Sequence, residues 1–259
     1  MLNQSIVVAR KEITDSLRDI RAVISSFFYA IMGPLVVGLV SISTHGSASE
    51  ANVLVGMMAV FTLVAAFVGG MNIAMDTVAG ERERRSLLPL LLNPIRRVDL
   101  MIGKWLAVSL FAAAGLAINL LGFAVVLRGS GTHLAGNWPH LLRVLALGML
   151  PLPLLAASLQ LLISTVCRAV KEAQTYLSLI VFLPMSLGMF LVFFPASARE
   201  WCRVLPLAGQ QLQLESAIKG SEIPLLQTLV LGCLTVALAF VILRVAGNRL
   251  QRDEIIYGN

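Results

Sequence analysis

Five charged residues stand side by side at 81–85: Glu81, Arg82, Glu83, Arg84 and Arg85. Leu87, Leu88, Leu90, Leu91 and Leu92 follow, with Pro89 and Pro94 as breakers. This set makes neither a nucleophile nor a metal site. A charged helix beside an exposed apolar rim can instead hold a soluble partner. The alternative, a leucine patch covered by the protein's own helices or by lipid, stays open. A second charged pair, Lys171-Glu172, follows another apolar stretch.

Other chemistry is poorly represented. His45, His133 and His140 are scattered through loops without ligand spacing, and Cys167, Cys202 and Cys233 form neither a CxxC pair nor a zinc pattern. The sequence has no HExxH helix and no GxSxG elbow. Gly103-Lys104 is followed by Trp105, with no glycine five residues before Gly103, so it is not a phosphate-binding loop. No bound cofactor is expected on this chain.

The elements that must position the charged segment are apolar. Stretches 22–49, 51–75, 105–127, 144–167, 173–198 and 223–243 contain no Asp, Glu, Lys or Arg. Each is long enough for a spanning helix, which needs about 20 residues. Charged residues are 13% of the chain and mean hydropathy is +0.85, which excludes a soluble domain with a polar shell. Lipid offers no partner to peptide groups, so the spans are expected as helices, and the lack of alternation argues against a barrel.

The net charge of +6 reads as topology rather than nucleic-acid binding. With the amino terminus inside, fifteen of the twenty Lys and Arg fall on the cytoplasmic side, placing both ends there. No basic patch interleaved with aromatics suggests nucleic acid as a partner. Residues 1–21 are too charged for a cleavable signal core.

Leu2, Ile6, Ala9, Ile13, Leu17 and Ile20 recur at helical steps, which predicts an amphipathic helix over 2–21 lying on the cytoplasmic membrane surface. Gly33-Pro34, Pro151, Pro153 and Pro184 predict kinks within spans. Ala65 with Gly69, and Ala66 with Gly70, offer notches for a close helix contact, inside the subunit or with a second copy. Span interiors offer neutral groups such as Asn72, Asn119 and Gln160, which weakens an ion-coupled carrier or a charge-lined channel. Segment 199–222 is too polar to span and too apolar for a linker; an external, partly re-entrant helix fits it. The expected organisation is one permease domain over 1–259, with a cytoplasmic coupling segment at 77–104.

Four stretches in order resemble the type 2 ABC-transporter permeases, and specifically their sodium-efflux, NatB-like branch. GERERRSLLPLLLNPIRRVDLMIGK (80–104) is similar to the coupling segment. ARKEITDSLRDIR (9–21), ISTVCRAVKEAQTYLSLI (163–180) and RLQRDEIIY (249–257) are similar to the surface helix, the turn between spans four and five, and the charged tail. The resemblance implies an all-α membrane subunit with six transmembrane helices, an interfacial first helix, and a coupling helix between spans two and three. It implies two cytoplasmic ABC ATPase subunits as partners, carrying ATP and Mg, and a second permease subunit, expected as a homodimer in lipid. Localisation would be the bacterial inner membrane. Glu81, Arg82, Glu83, Arg84, Arg85, Leu90, Leu91 and Leu92 would receive the ATPase movement, with Lys171 and Glu172 as a second contact. The branch often carries a large external insert after the first span, whereas only 44–50 stand here, so a lipid or peptide cargo is an alternative to sodium. An energy-independent carrier or channel, and a force-transmitting adaptor without transport, are the other functional readings.

Overall fold

Peptide groups inside hydrocarbon must bond within their own segment, and long runs of Leu, Val, Ala and Ile do this as helices. The computed structural model describes residues 2–43, 48–86, 96–129, 138–194, 200–221 and 223–250, and every regular element among them is helical. In chain order these are α1 (Leu2–Arg18), α2 (Ile20–Ser43), α3 (Ala48–Ala74), α4 (Arg97–Gly129), α5 (Trp138–Arg143), α6 (Pro151–Val166), α7 (Val170–Phe193), α8 (Ala208–Ile218) and α9 (Leu225–Leu250). Helix α3 runs on through a π-helical stretch, Met75–Gly80, into a last turn, Glu81–Glu83. A second π-helical stretch, Val144–Met149, joins α5 to α6.

Among the described residues, six helices are long and apolar enough to cross a membrane: Ile20–Ser41, Glu50–Glu83, Arg97–Arg128, Leu141–Val166, Val170–Phe193 and Leu225–Arg249. The second and fourth are each 61% buried, against 22–33% for the others, so they form the centre of the bundle. The outer helices present Phe28, Tyr29, Leu121, Val125, Leu179, Phe182, Leu226 and Val241, all exposed, as a lipid surface.

The small-residue notch on α3 is filled from within the subunit. A Cβ on Gly69 would come 2.9 Å from the Phe111 carbonyl oxygen and 3.2 Å from the Gly115 Cα, both on α4. One on Gly70 would come 2.9 Å from the Val108 carbonyl oxygen. Close backbone approach replaces the hydrophobic drive that lipid cannot supply between helices.

Each proline sets a local problem. Pro34 has no N–H to give to Ala30, four residues earlier. Asn119 of α4 takes that place, its Nδ2 donating to the Ala30 carbonyl at 2.8 Å. Pro151 likewise leaves the Leu147 carbonyl without its helical donor. The π-helical stretch lies just before it, and Gly232 of α9 packs so closely that an added Cβ would clash with that oxygen. The amide nitrogens of Asn72 and Gln160 are similarly engaged. Asn72 Nδ2 donates to Ser25 Oγ and Ser26 Oγ at 2.9 Å each, and Gln160 Nε2 donates to the Phe67 carbonyl.

Segment 200–221 forms a short 3-10 turn, Glu200–Val204, and then α8, which is too short to cross a bilayer. Its Gln210, Gln211 and Gln213 are buried against the spans. Gln210 Nε2 donates to Thr235 Oγ1 at 2.8 Å, and Gln211 Nε2 to the Gly188 carbonyl at 3.0 Å. Cys202 is buried here beside Leu191 and Ala208.

Asn119→Leu should cost about 1–3 kcal/mol by orphaning the Ala30 carbonyl. Adding Pro34→Ala, which restores an N–H at 34, should recover most of it. Denaturant titration of the purified variants in micelles reads both; an unchanged midpoint for the single variant refutes the assignment.

Candidate functional site

The ion pairs of Lys11, Arg84 and Lys104 gather at one end of the bundle, where α1 lies, α3 ends, α4 begins and α6 turns into α7. The group is built around Lys104, whose side chain is fully buried. Helix α4 begins at Arg97, eight residues before the charge-free stretch, so Lys104 lies two turns inside it. Its Nζ lies 2.8 Å from Glu81 Oε2 and 3.1 Å from Glu12 Oε1, and it donates to the Thr77 carbonyl at 2.6 Å. Lys11 Nζ closes the group at 3.3 Å from Glu12 Oε1 and 3.8 Å from Glu81 Oε1. Two ammonium groups thus face two carboxylates, with no net charge among the four.

Gly103 explains how α1 comes so near. A Cβ there would stand 2.6 Å from Val8 Cβ and 2.8 Å from the Ser5 carbonyl oxygen. The glycine admits the α1 backbone and the adjacent lysine reaches across to Glu12. Ser5 Oγ donates to Asp99 Oδ1 at 3.2 Å in the first turn of α4, where a carboxylate also complements the helix dipole. The buried side of α1 is therefore Ser5, Val8, Ala9 and Glu12, while Ile6, Leu17 and Ile20 of the expected apolar stripe are more than half exposed. Burial works against the charge of Lys11, but Glu12, Glu81 and Asp15 outweigh it and hold the ammonium above its ordinary pKa.

The end of α3 is fixed by hydrogen bonds. Ser86 N donates to the Glu81 carbonyl at 2.9 Å and Arg85 N to the Arg82 carbonyl at 3.0 Å, a helix stop that puts one residue in the left-handed region. The same pair of bonds ends α8, with Ser221 N on the Ser216 carbonyl and Gly220 N on the Ala217 carbonyl. There the left-handed residue is Gly220, at φ 74°; at the end of α3 it is Arg85, at φ 56°. A side chain costs about 1–2 kcal/mol in that conformation, so the arginine is held against its backbone preference.

This stop is stitched to the turn between α6 and α7. Glu83 Oε2 accepts from Val170 N at 2.7 Å, and Glu172 Oε2 from Arg168 N at 2.8 Å. Two carboxylates thereby satisfy an amide of the turn, at Arg168, and the first free amide of α7, at Val170. Arg82 Nη1 donates to the Cys167 carbonyl at 3.3 Å, and Ser164 Oγ accepts from Ala79 N at 3.1 Å. Burial, reinforced by Glu172, pushes the Cys167 thiol up, so it stays protonated and unreactive near neutrality.

The structure therefore brings Glu81, Arg82, Glu83, Arg84 and Arg85 together with Lys171 and Glu172, but in different roles. Glu81 faces inward to Lys104. Arg82 and Glu83 fasten the two turns together. Arg84 pairs with Asp76, and Arg84, Arg85, Arg168 and Lys171 are exposed. The charged run is the last turn of the second span rather than a separate helix. Leu90, Leu91 and Leu92 lie outside the described residues, as do Leu87, Leu88, His45, His133 and the tail from 251. Lys104 and Glu12 are absent from the sequence-derived site. The signal for both was present: a lone cation beside glycine at the edge of an apolar run, and a carboxylate three residues after Ala9 on a helix facing it.

Six apolar helices closed at one end by a buried ion cluster define a multi-pass helical membrane protein. The model of the ABC-2 family of transporter proteins matches residues 6–211, and the chain belongs to that family. It is similar to the ABC transporter permease protein NatB of Bacillus subtilis (strain 168), with 36% identity over 154 residues. That match spans 57% of this chain and 40% of the relative's length.

Lys104→Met should destabilise the protein by about 3–5 kcal/mol, because it leaves buried carboxylates without their cation. Adding Glu12→Gln and Glu81→Gln should return much of the loss. Unfolding of the detergent-purified variants measures this, and equal stability of Lys104→Met and the parent refutes the central role of the lysine.

Proposed function

We propose that this chain is the permease subunit of an ATP-driven exporter, moved by a separate cytoplasmic ATPase that docks at the end of the bundle where α1 lies. Family membership supports the class. One structural observation supports the docking surface: the exposed cations Arg84, Arg85, Arg168 and Lys171 belong to two turns that Glu83 and Arg82 tie into a single face. A partner pressing on either turn would move the ends of α3 and α7 together. Through Glu81, Lys104 and Glu12 the same push would reach α4 and α1. A partner shifts a conformational equilibrium only by binding its states differently, and a connected face gives it that leverage.

In this reading 87–92 complete the contact with an apolar rim, both chain ends are cytoplasmic, α1 lies along the inner surface of the bacterial plasma membrane, and two identical permease subunits pair with two ATPases. The ATPase supplies the ATP and Mg chemistry. In this reading the cargo is apolar or amphipathic, while Asn72, Asn119 and Gln160 use their amide nitrogens in contacts between helices.

Arg85→Gly separates docking from folding. Removing a side chain from the left-handed position should raise stability by about 1 kcal/mol, while ATPase co-purification and cargo-stimulated hydrolysis in liposomes should fall. Retention of the ATPase by both this variant and one with Leu90, Leu91 and Leu92 changed to Ser would refute the docking face. Stimulated hydrolysis without cargo movement would identify a force-transmitting adaptor.

The same topology predicts that cysteines placed at 46 or 135 are labelled from outside intact cells by an impermeant maleimide, and that one at 88 is not. The opposite pattern overturns the orientation.

A further inference from the structure

A cleft of about 470 Å³ opens between the first turns of α4 and the last turns of α9. Its walls are apolar: Val98, Met101 and Ile102 from α4, Phe240 and Leu243 from α9. Arg244, Gly247 and Asn248 line its outer part. A Cβ added to Gly247 would meet nothing within 4 Å, so the space there is open. From Phe240 to Asn248 the cleft follows α9 for about 12 Å at 1.5 Å per residue.

Arg244 is the unusual member. It is exposed, it lies within the sixth apolar span, and among the described residues no carboxylate pairs with it. Arg249 follows Asn248 in sequence, and Asp99, the acidic residue next to Val98, is buried and bound by Ser5. A guanidinium at the edge of hydrocarbon calls for a phosphate oxygen, which it can grip with two parallel N–H bonds. Basic pockets between spanning helices suit lipid head groups for this reason.

We propose that this cleft binds one acidic phospholipid, with an acyl chain along Val98, Met101, Ile102, Phe240 and Leu243 and its phosphate on Arg244 and Asn248. The occupant follows from the charge and the shape together. An apolar trough alone would accept any lipid or another helix, but a cation without a carboxylate partner among the described residues selects an anionic head group. The proposal stands apart from ATPase coupling and survives or fails without it.

A probe is built into the fold. The ring of Phe240, on the cleft wall, lies 5.4 Å from the ring of Trp105. With Trp138 and Trp201 changed to Phe, Trp105 fluorescence reports heavy-atom quenching by lipid in the cleft. The protein is reconstituted in phosphatidylcholine containing either brominated phosphatidylglycerol or brominated phosphatidylcholine. Phosphatidylglycerol should be preferred about fivefold, the effect expected of one cation on an anionic lipid. Arg244→Gln should abolish the preference, Arg244→Lys should keep most of it, and Gly247→Leu should reduce quenching by both lipids. Equal quenching by the two lipids in the parent protein, an unchanged preference in Arg244→Gln, or no quenching by either because another helix or a second copy fills the cleft, would each overturn the proposal.

Discussion

The ammonium of Lys104 has given up all contact with water, and a buried cation persists only where opposite charge and hydrogen bonds replace what hydration supplied. That requirement fixes the base of the bundle. Glu81 must arrive from the end of α3, Glu12 from α1, and the Thr77 carbonyl from the π-helical stretch between them. Gly103 has to stay small so that α1 can come close enough. Two stretches far apart in sequence, α1 and the end of α3, are therefore held against α4 by a single side chain. Such a cluster is weak evidence for great stability, since a well-packed apolar replacement can do as well. Its stronger effect is on arrangement, because it ties three segments that lipid alone would leave free to slide.

The same logic runs through the spans at lower stakes. Lipid neither rewards burial between helices nor forgives an unbonded carbonyl. Glycines at 69, 70 and 115 let α3 and α4 touch along their backbones, and Asn119 covers the carbonyl that Pro34 exposes. These polar groups work as fasteners between helices. The surface that faces outward at the base is a different matter, since Arg85, Arg168 and Lys171 are exposed there while Glu83 and Glu172 are engaged by backbone amides and Asp76 by Arg84.

The six spans were legible because apolar length is a property of sequence alone, and their order needed no tertiary information. Helix α4 begins earlier than its apolar stretch because Arg97, Asp99 and Lys104 have partners or water at the bundle's end, and charge alone does not stop a helix. Periodicity found the apolar side of α1, but in a membrane such a side can face lipid. The side turned to the protein carries Ser5 and Glu12, whose partners lie more than ninety residues away. Position 85 was legible as charge and illegible as conformation. Only the backbone shows an arginine where the corresponding stop at 220 uses glycine.

The order in which the ionic partners occur has a bearing on biosynthesis. Glu12 and Glu81 both precede Lys104 in the chain, so a nascent polypeptide has both carboxylates made before the lysine leaves the ribosome. The lysine need not wait, bare, at the mouth of the insertion machinery for a counterion from downstream. Lateral release of the third span can seat it at once, and the amino-terminal segment is then locked to the growing bundle while the last three spans are still being translated.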